Sequence, residues 1–350
     1  MNTDTIISST NNNENIVSHL NIDWSKYAII CGSSHPELGQ LISSYFGIEI
    51  AQIEIRNFNN SEISTKIKDN VRNKHVMIIQ SPCINYGKSV NDYIMELLLL
   101  CNSCTLSSAK TVSCIIPCFP YARSDKRDET ADCIGGKVLC DLLETCNVFR
   151  ICAFDLHSGQ IQGFTKKSFD NLYAQPLLSQ AIKNLYLSGS DKKDCVLVSP
   201  DAGSNKRVNS YASEFKIPFI KFDKQRDHTQ VSVIHSISLI TQGIDLHDKI
   251  AIIIDDIIDT MGTMISVVNE LGKYGIRKAV IVATHAILSS DAIDKINNCH
   301  LIESIIVTNT LPLIEKMEKC KKIIKVDIHE MIGDVIKCWI SGNTISNTFE

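Results

Sequence analysis

No apolar stretch in this 350-residue sequence is long enough to cross a bilayer. The longest, such as Lys249-Ile-Ala-Ile-Ile-Ile254 and Ile94 to Cys101, fall well short of the ~20 residues that a spanning helix needs, so no membrane partner is expected. An excess of positive charge is missing as well. Lys and Arg number 35 against 39 Asp and Glu, a formal net charge of −4. No global basic field therefore draws the chain onto nucleic acid, and any anion it binds must be held by a local cluster. The first residues lack the basic start and the apolar run of about 7 to 15 residues that mark a secretory leader. The expected location is the cytoplasm, where the fourteen cysteines remain thiols. What is present, 44% apolar and 21% charged residues over 350 positions, suits about two domains that bury ordinary cores without covalent staples.

Cys101 and Cys104, followed by Cys114 and Cys118, have a superficially zinc-like spacing. Cys114 and Cys118 lie in Thr-Val-Ser-Cys-Ile-Ile-Pro-Cys, a buried strand running into a loop, and no turn residues bracket either pair. Core packing is the better reading, with the thiols acting as small apolar groups.

Residues 1–24 are rich in Asn, Ser and Thr and read as a flexible extension. From Tyr27 onward short apolar runs alternate with helical periodicity. The runs Tyr27 to Cys31, Val76 to Ile79, Val112 to Ile116 and Phe149 to Phe154 predict strands buried on both faces. Val90, Ile94, Leu97, Leu98 and Cys101 predict a helix between two of them, and Val138, Leu139, Leu142 and Leu143 another. The alternation restarts with Cys195 to Ser199, Phe219 to Phe222, Ile250 to Ile254, Ala279 to Ala283, Ile305 to Val307 and Ile323 to Val326. Two similar α/β domains follow, each a mostly parallel sheet flanked by helices, over 25–172 and 173–335.

Ligands of parallel sheets bind outside the carboxyl ends of the strands. The most informative loop there follows Ile250 to Ile254: an acid pair, Asp255 and Asp256, then Asp259-Thr-Met-Gly-Thr263, then helix-patterned Val267, Val268 and Leu271. Gly262 admits an oxyanion close to the backbone, and Thr260, Thr263 and the first N–H groups of the helix donate to it. Carboxylates beside a phosphate repel it unless they face sugar hydroxyls or a divalent cation, so Asp255 and Asp256 suit a ribose diol with Mg2+ nearby. A plain N-cap carboxylate accounts for one Asp but not for three with two threonines.

Ile254-Asp-Asp-Ile-Ile-Asp-Thr-Met-Gly-Thr263 resembles the phosphoribosyl-diphosphate loop shared by type I phosphoribosyltransferases and ribose-phosphate diphosphokinases. Four further motifs resemble the diphosphokinases and occur in the same order. They are Phe58-Asn-Asn-Ser-Glu62, Cys118 to Asp128, Asp155-Leu-His-Ser-Gly-Gln-Ile-Gln-Gly-Phe164 and Val198-Ser-Pro-Asp-Ala-Gly203. The likeness covers about 25–345, far more than a single Gly-rich loop. It implies a transferase of nucleotide biosynthesis with two phosphoribosyltransferase-like domains and residues 336–350, near Trp339, packing back on the first. In the reaction it implies, the anomeric hydroxyl of ribose 5-phosphate attacks the β-phosphorus of MgATP to give phosphoribosyl diphosphate and AMP.

The same resemblance implies site residues. Phe58, Asn60 and Glu62 match an adenine-side loop that serves a neighbouring subunit, so a homo-oligomer built from dimers, up to hexamers in the family, is implied. Arg123, Ser124 and Asp125 match the ATP loop. His157, with Asp155, stands near the metal and the ATP phosphates; nitrogen is a poor Mg2+ ligand, so His157 is read as acting through a water. Asp201 matches a residue beside the ribose and a second cation. Asp255, Asp256, Asp259, Thr260, Met261, Gly262 and Thr263 match the ribose 5-phosphate site. Lys224 and Arg226, in a stretch Phe222 to Gln230 that reads as a surface loop, match a catalytic pair that closes over ATP and stabilises the pentavalent β-phosphorus.

The chain departs from the family in several places. Ala131-Asp-Cys133 stands where many members carry Arg-Ala-Pro, a segment tied to their phosphate and ADP regulation; Lys166 replaces an acid; and Tyr86-Gly-Lys-Ser-Val90 lengthens a loop. Two rival readings are a type I phosphoribosyltransferase, which has no reason to duplicate the α/β unit, and a catalytically silent associated subunit, whose catalytic loop would be interrupted.

Overall fold

Strands buried on both faces of a parallel sheet need no alternation of polar and apolar residues, and the continuous apolar runs form just such strands. A computed structural model describes residues 22–127, 129–188, 194–226, 234–240 and 243–345. Positions 1–21 of the expected extension, Asp128, Asp227 to Gln230 and 346–350 lie outside the described residues.

The chain divides into two compact units. Of the described residues, one holds 22–173, Thr310–Pro312 and 328–345; the other holds those within Ala174–Asn309 and Leu313–Asp327. In the first, the elements run β1 Tyr27–Cys31, α1 Pro36–Phe46, β2 Ile53–Asn57, β3 Ile63–Ile67, β4 His75–Ile79, α2 Val90–Leu106, β5 Thr111–Ile115, α3 Gly135–Thr145, β6 Val148–Phe154 and β7 Ser168–Leu172. Strands β1, β4, β5, β6 and β7 form a parallel sheet in that order, with Tyr27 opposite His75 and His75 opposite Thr111. The order never reverses, so each crossover steps the same way.

Helix termini follow local chemistry. Pro36 occupies the first turn of α1, where its missing N–H costs nothing, and the His35 side chain accepts from the Leu38 N–H at 3.3 Å. The helix stops at Gly47 in the left-handed region, φ 63°. Ser89 and Asp92 form a capping box that starts α2. Ile94, Leu97, Leu98, Cys101 and Cys104 of α2 then pack with Val76, Ile78, Val112 and Cys114 of the sheet. Cys101 and Cys114 are therefore core side chains, their sulfurs 3.4 Å apart. The lengthened loop turns at Tyr86 and Gly87, both at positive φ. It brings the Lys88 ammonium within 3.3 Å of the fully buried Glu96, which also accepts from Ser33 and Gln80.

In the second unit the elements are α4 Gln175–Tyr186, β8 Cys195–Ser199, α5 Asn205–Phe215, β9 Phe219–Arg226, β10 Ile234–Ile240, β11 Ile250–Ile258, α6 Gly262–Lys273, β12 Lys278–Ala286, α7 Ala292–Asn298, β13 Ile302–Thr308, α8 Ile314–Lys319 and β14 Ile323–Val326. The sheet order is β10-β9-β8-β11-β12-β13-β14, parallel apart from β10 against β9. Helix α9, His329–Ser341, returns to the first unit and packs on α1. There the Trp339 indole donates to Asp170 at 3.0 Å and the Tyr45 hydroxyl to Asp334 at 2.6 Å.

Two expectations are corrected. Strand β11 does not end at Ile254 but runs through the acid pair to Ile258, because β12 continues to pair with it there, Asp255 opposite Ala283 and Ile257 opposite His285. Strand β9 extends to Arg226, so Lys224 and Arg226 lie on an antiparallel ladder with β10, opposite Ile237 and Ile234, rather than in a loop beginning at Phe222.

Candidate active site

The seven-stranded sheet reverses its winding between β8 and β11: β9 and β10 build outward on one side, and β11 through β14 on the other. Such a switch point opens a crevice at the carboxyl ends of the two central strands. The chain places its acids there. Asp201 follows β8, and its carboxylate accepts from the Ser204 N–H at 3.1 Å. Ser204 Oγ lies 2.6 Å from Asp255 Oδ1 and 3.3 Å from Asp201 Oδ1, so one hydroxyl bridges an acid of strand β11 and an acid of the loop after β8. Asp255 Oδ1 also accepts from the Asp256 N–H at 2.9 Å, and Asp256 itself is only 6% exposed. Burial, with the Asp256 carboxylate and its hydrogen bond next in weight, pushes the Asp255 carboxyl up to about 8.

Every donor in this cluster is oxygen, which suits a hard cation. Asn205 Oδ1, in the first turn of α5, adds a buried acceptor without a hydrogen-bond partner. Among the described residues no three acidic, His or Cys side chains converge into a complete cage. Mg2+ does not ask for one, since it takes one or two carboxylates together with phosphate oxygens and water. The set therefore fits a cation shared with a phosphorylated substrate.

Beyond the acids, Asp259-Thr-Met-Gly-Thr263 forms the turn into α6. Met261 is left-handed, φ 64° and ψ 1°, and 2% exposed, its side chain anchored in the core. A left-handed residue followed by a helical one makes successive backbone N–H groups converge into an anion-binding concavity. The start of α6 carries no side-chain cap, and a helix start turns N–H donors and the positive end of its dipole toward an anion. A Cβ built on Gly262 would meet nothing closer than Thr260 Oγ1 at 3.9 Å, so the backbone is open to close approach there. The loop is braced from behind: Ser289 donates to Asp259, and Lys295 Nζ donates to the Thr260 carbonyl at 3.0 Å.

In the first unit the candidates stand at the strands' carboxyl ends and on the hairpin. Phe58, Asn60 and Glu62 form the tip between β2 and β3, closed by the Phe58 N–H to Glu62 carbonyl bond, and the Phe58 ring is 55% exposed. Asn60 Oδ1 accepts from the Glu62 N–H at 3.2 Å. Arg123, Ser124 and Asp125 follow β5, with Arg123 exposed. Asp155 lies at the end of β6, 1% exposed and at φ 37°, its N–H bonded to the Leu172 carbonyl, while His157 is exposed two residues later. Lys166 is exposed, its N–H held by Glu144.

The cluster Asp201, Asp255 and Asp256 is thus brought together, and so is the loop from Asp259 to Thr263. Sequence reasoning missed Ser204, Ser289 and Lys295, which carry no motif of their own. A serine three residues after Asp201 was the one available signal for Ser204. Ser124 has a second duty: its hydroxyl donates to the Cys133 carbonyl at 3.1 Å and accepts from the Gly135 N–H at 2.9 Å, where α3 begins.

Comparison with known proteins agrees with this geometry. Residues 27–146 match the family model described as the N-terminal domain of ribose phosphate pyrophosphokinase, and 237–350 match the phosphoribosyl synthetase-associated domain. The crystal structure of phosphoribosylpyrophosphate synthetase from Mycobacterium smegmatis is 30% identical, with a TM-score of 0.82 over 91% of this chain and 100% of that one. A purine phosphoribosyltransferase from Pyrococcus horikoshii is 22% identical over 33% of this chain and 74% of its own, with a TM-score of 0.27. An adenine-type phosphoribosyltransferase, APRTase from Giardia lamblia, is 12% identical over 44% and 78%, with a TM-score of 0.29. These last two likenesses are too partial to bear on the assignment. The match to the synthetase spans that protein's whole length, and the chain belongs to the ribose-phosphate diphosphokinase (phosphoribosyl diphosphate synthetase) family.

Proposed function

We propose that this chain carries out its family's reaction with ATP and ribose 5-phosphate, the anomeric hydroxyl of the sugar attacking the β-phosphorus to give phosphoribosyl diphosphate and AMP. One observation supports this most: an acid from the loop after β8 and an acid of strand β11 share the Ser204 hydroxyl at the sheet's switch point, and the turn after β11 leads into a helix start without a side-chain cap. A diol-bearing sugar phosphate needs that combination, carboxylates to accept from its hydroxyls and N–H donors for its phosphate.

In this reading Asp255, Asp256 and Asp259 accept from the ribose hydroxyls, and Thr260 through Thr263 hold the 5-phosphate. The fixed sugar then presents its anomeric oxygen in a single orientation, which removes much of the entropic cost of a two-substrate encounter. Arg123, Ser124 and Asp125 serve ATP, and Phe58 offers a face to the adenine while Asn60 and Glu62 read its edge. Asp155, His157 and Asp201 would hold Mg2+, which when bound neutralises polyphosphate charge. Lys224 and Arg226 complete the cationic array, Arg as a bidentate fork and Lys as a point charge. We place the enzyme in the cytoplasm as a homo-oligomer, with no nucleic-acid partner.

The test is to incubate the purified chain with MgATP, ribose 5-phosphate and inorganic phosphate and to follow the products by 31P NMR. AMP with a sugar-linked diphosphate is the expected outcome. ADP would mean monophosphoryl transfer and overturn the mechanism, while nucleotide binding without turnover would make the chain a silent partner subunit.

A further inference from the structure

The phosphate loop is held in a conformation it would not choose alone. Met261 bears a side chain in the left-handed region, which L-residues disfavour. A half-turn of the Thr260–Met261 peptide would relieve that conformation and would reverse the direction of the Met261 N–H. A hydrogen bond from a charged donor opposes the rotation. Lys295 Nζ, from the middle of α7, donates to the Thr260 carbonyl at 3.0 Å, and the ammonium is itself fixed by Asp291 one turn earlier at 2.7 Å. Ser289 holds the adjoining Asp259 carboxylate, so two side chains from the segment after β12 secure both ends of the first peptide units of the loop.

A trans peptide points its C=O and N–H in opposite directions. A carbonyl fixed toward α7 therefore directs the Met261 N–H away from it, to join the donors at the start of α6. A hydrogen bond from a charged donor to a carbonyl also polarises that peptide and strengthens its N–H as a donor. We infer that Lys295 is a positioning residue for the phosphate-bearing sugar: it latches the Thr260–Met261 peptide in the orientation that presents an N–H to the substrate phosphate. The inference rests on the proposed assignment of this loop to ribose 5-phosphate and adds the residue that sets the loop's affinity. Lys295 has no contact with substrate in this role and supplies no proton.

The side chain of Lys295 is 34% exposed, so its loss leaves the core intact, and thermal melts of each variant verify this. Titration calorimetry of the full chain with ribose 5-phosphate, inorganic phosphate and a non-hydrolysable ATP analogue tests the latch. Lys295→Met should weaken ribose 5-phosphate and inorganic phosphate about tenfold or more, as loss of a charged hydrogen bond does, with the ATP analogue unchanged. Lys295→Arg, which keeps the donor and the charge, should restore the affinity, and Asp291→Asn, which frees the ammonium, should fall between. Unchanged sugar-phosphate affinity in Lys295→Met, or equal weakening of the sugar phosphate and the ATP analogue, would overturn the latch. A wild-type chain that fails to bind ribose 5-phosphate at all would overturn the functional reading and the latch with it.

Discussion

Asp255 is an acid in surroundings that favour its neutral form. Burial, the neighbouring Asp256 and the nearby Asp201 all raise its pKa, against which the Ser204 hydroxyl is the opposing contact. The folded value of about 8 stands above the ordinary 3.8, so the folded chain binds more protons than the unfolded one between those limits. This contribution to stability is complete below about pH 4 and is lost as pH rises through 8. The ligand-free site is thus strained at neutral pH, and sugar hydroxyls or a cation relieve it. Asp255→Asn, melted in EDTA, should exceed wild type most at pH 8, less at pH 5, and converge with it toward pH 4, where the carboxyl is protonated in the unfolded chain as well. Roughly 2 kcal/mol relieved would raise the melting temperature by about 4–8 °C in a domain of this size. An equal gain at every pH would show that ionisation is not the cause. The same variant should lose ribose 5-phosphate binding, since stability and function oppose each other at this side chain.

Single elements show where such trade-offs are absent. The loop after β5 is stapled by Ser124, whose hydroxyl joins the Cys133 carbonyl to the Gly135 N–H and so caps α3 from eleven residues away. Helix α3 has no side-chain cap of its own at Ile134. Ser124→Ala should cost about 1 kcal/mol, the usual worth of a cap, seen as a lower urea midpoint at constant slope; an unmoved midpoint would mean that water replaces the hydroxyl. Which elements were legible in sequence follows from the same kind of local accounting. Strands β1, β4, β5, β8, β11 and β12 announce themselves as apolar runs because both faces are covered. The strands that escaped notice are β2, β3, β7 and β10, and each is half of a hairpin or the edge of a sheet. Ile53-Glu-Ile-Arg-Asn57 and Ile63-Ser-Thr-Lys-Ile67 alternate instead, and Ser168-Phe-Asp-Asn-Leu172 carries the polar groups an exposed edge tolerates. The acids of the site were legible because chemistry demands their type. Ser204 and Lys295 were not, because a supporting side chain is specified by where the fold delivers it. Asp255 and Asp256 read as the end of a strand, since Asp is a poor strand former, yet the ladder with β12 carries them into it.

At the scale of the whole molecule the chain leaves its first unit at Tyr173, touches it again at Thr310–Pro312 and returns to it with α9. The return is secured at Gly333, where α9 meets α1: a Cβ placed there would lie 2.2 Å from Tyr45 Cε1. The ring cannot easily withdraw. Its hydroxyl donates to Asp334 and accepts from Lys337, and its edge packs against Phe46 with centroids 5.0 Å apart. Alanine gains up to ~1 kcal/mol of helix propensity over glycine, whereas forcing a methyl into a filled contact costs about 1–3 kcal/mol. A separation this far below contact distance puts the cost at the upper end, so Gly333→Ala should destabilise by about 2 kcal/mol. Where the loss appears is the sharper test. Both tryptophans of the chain, Trp24 and Trp339, belong to this unit, so intrinsic fluorescence follows its unfolding while far-ultraviolet circular dichroism follows both units. The fluorescence midpoint should fall further than the dichroism midpoint if α9 is integral to the first unit alone. Equal displacement of the two would mean that the units unfold as one, and an unmoved fluorescence midpoint would mean that Tyr45 yields to the methyl without loss.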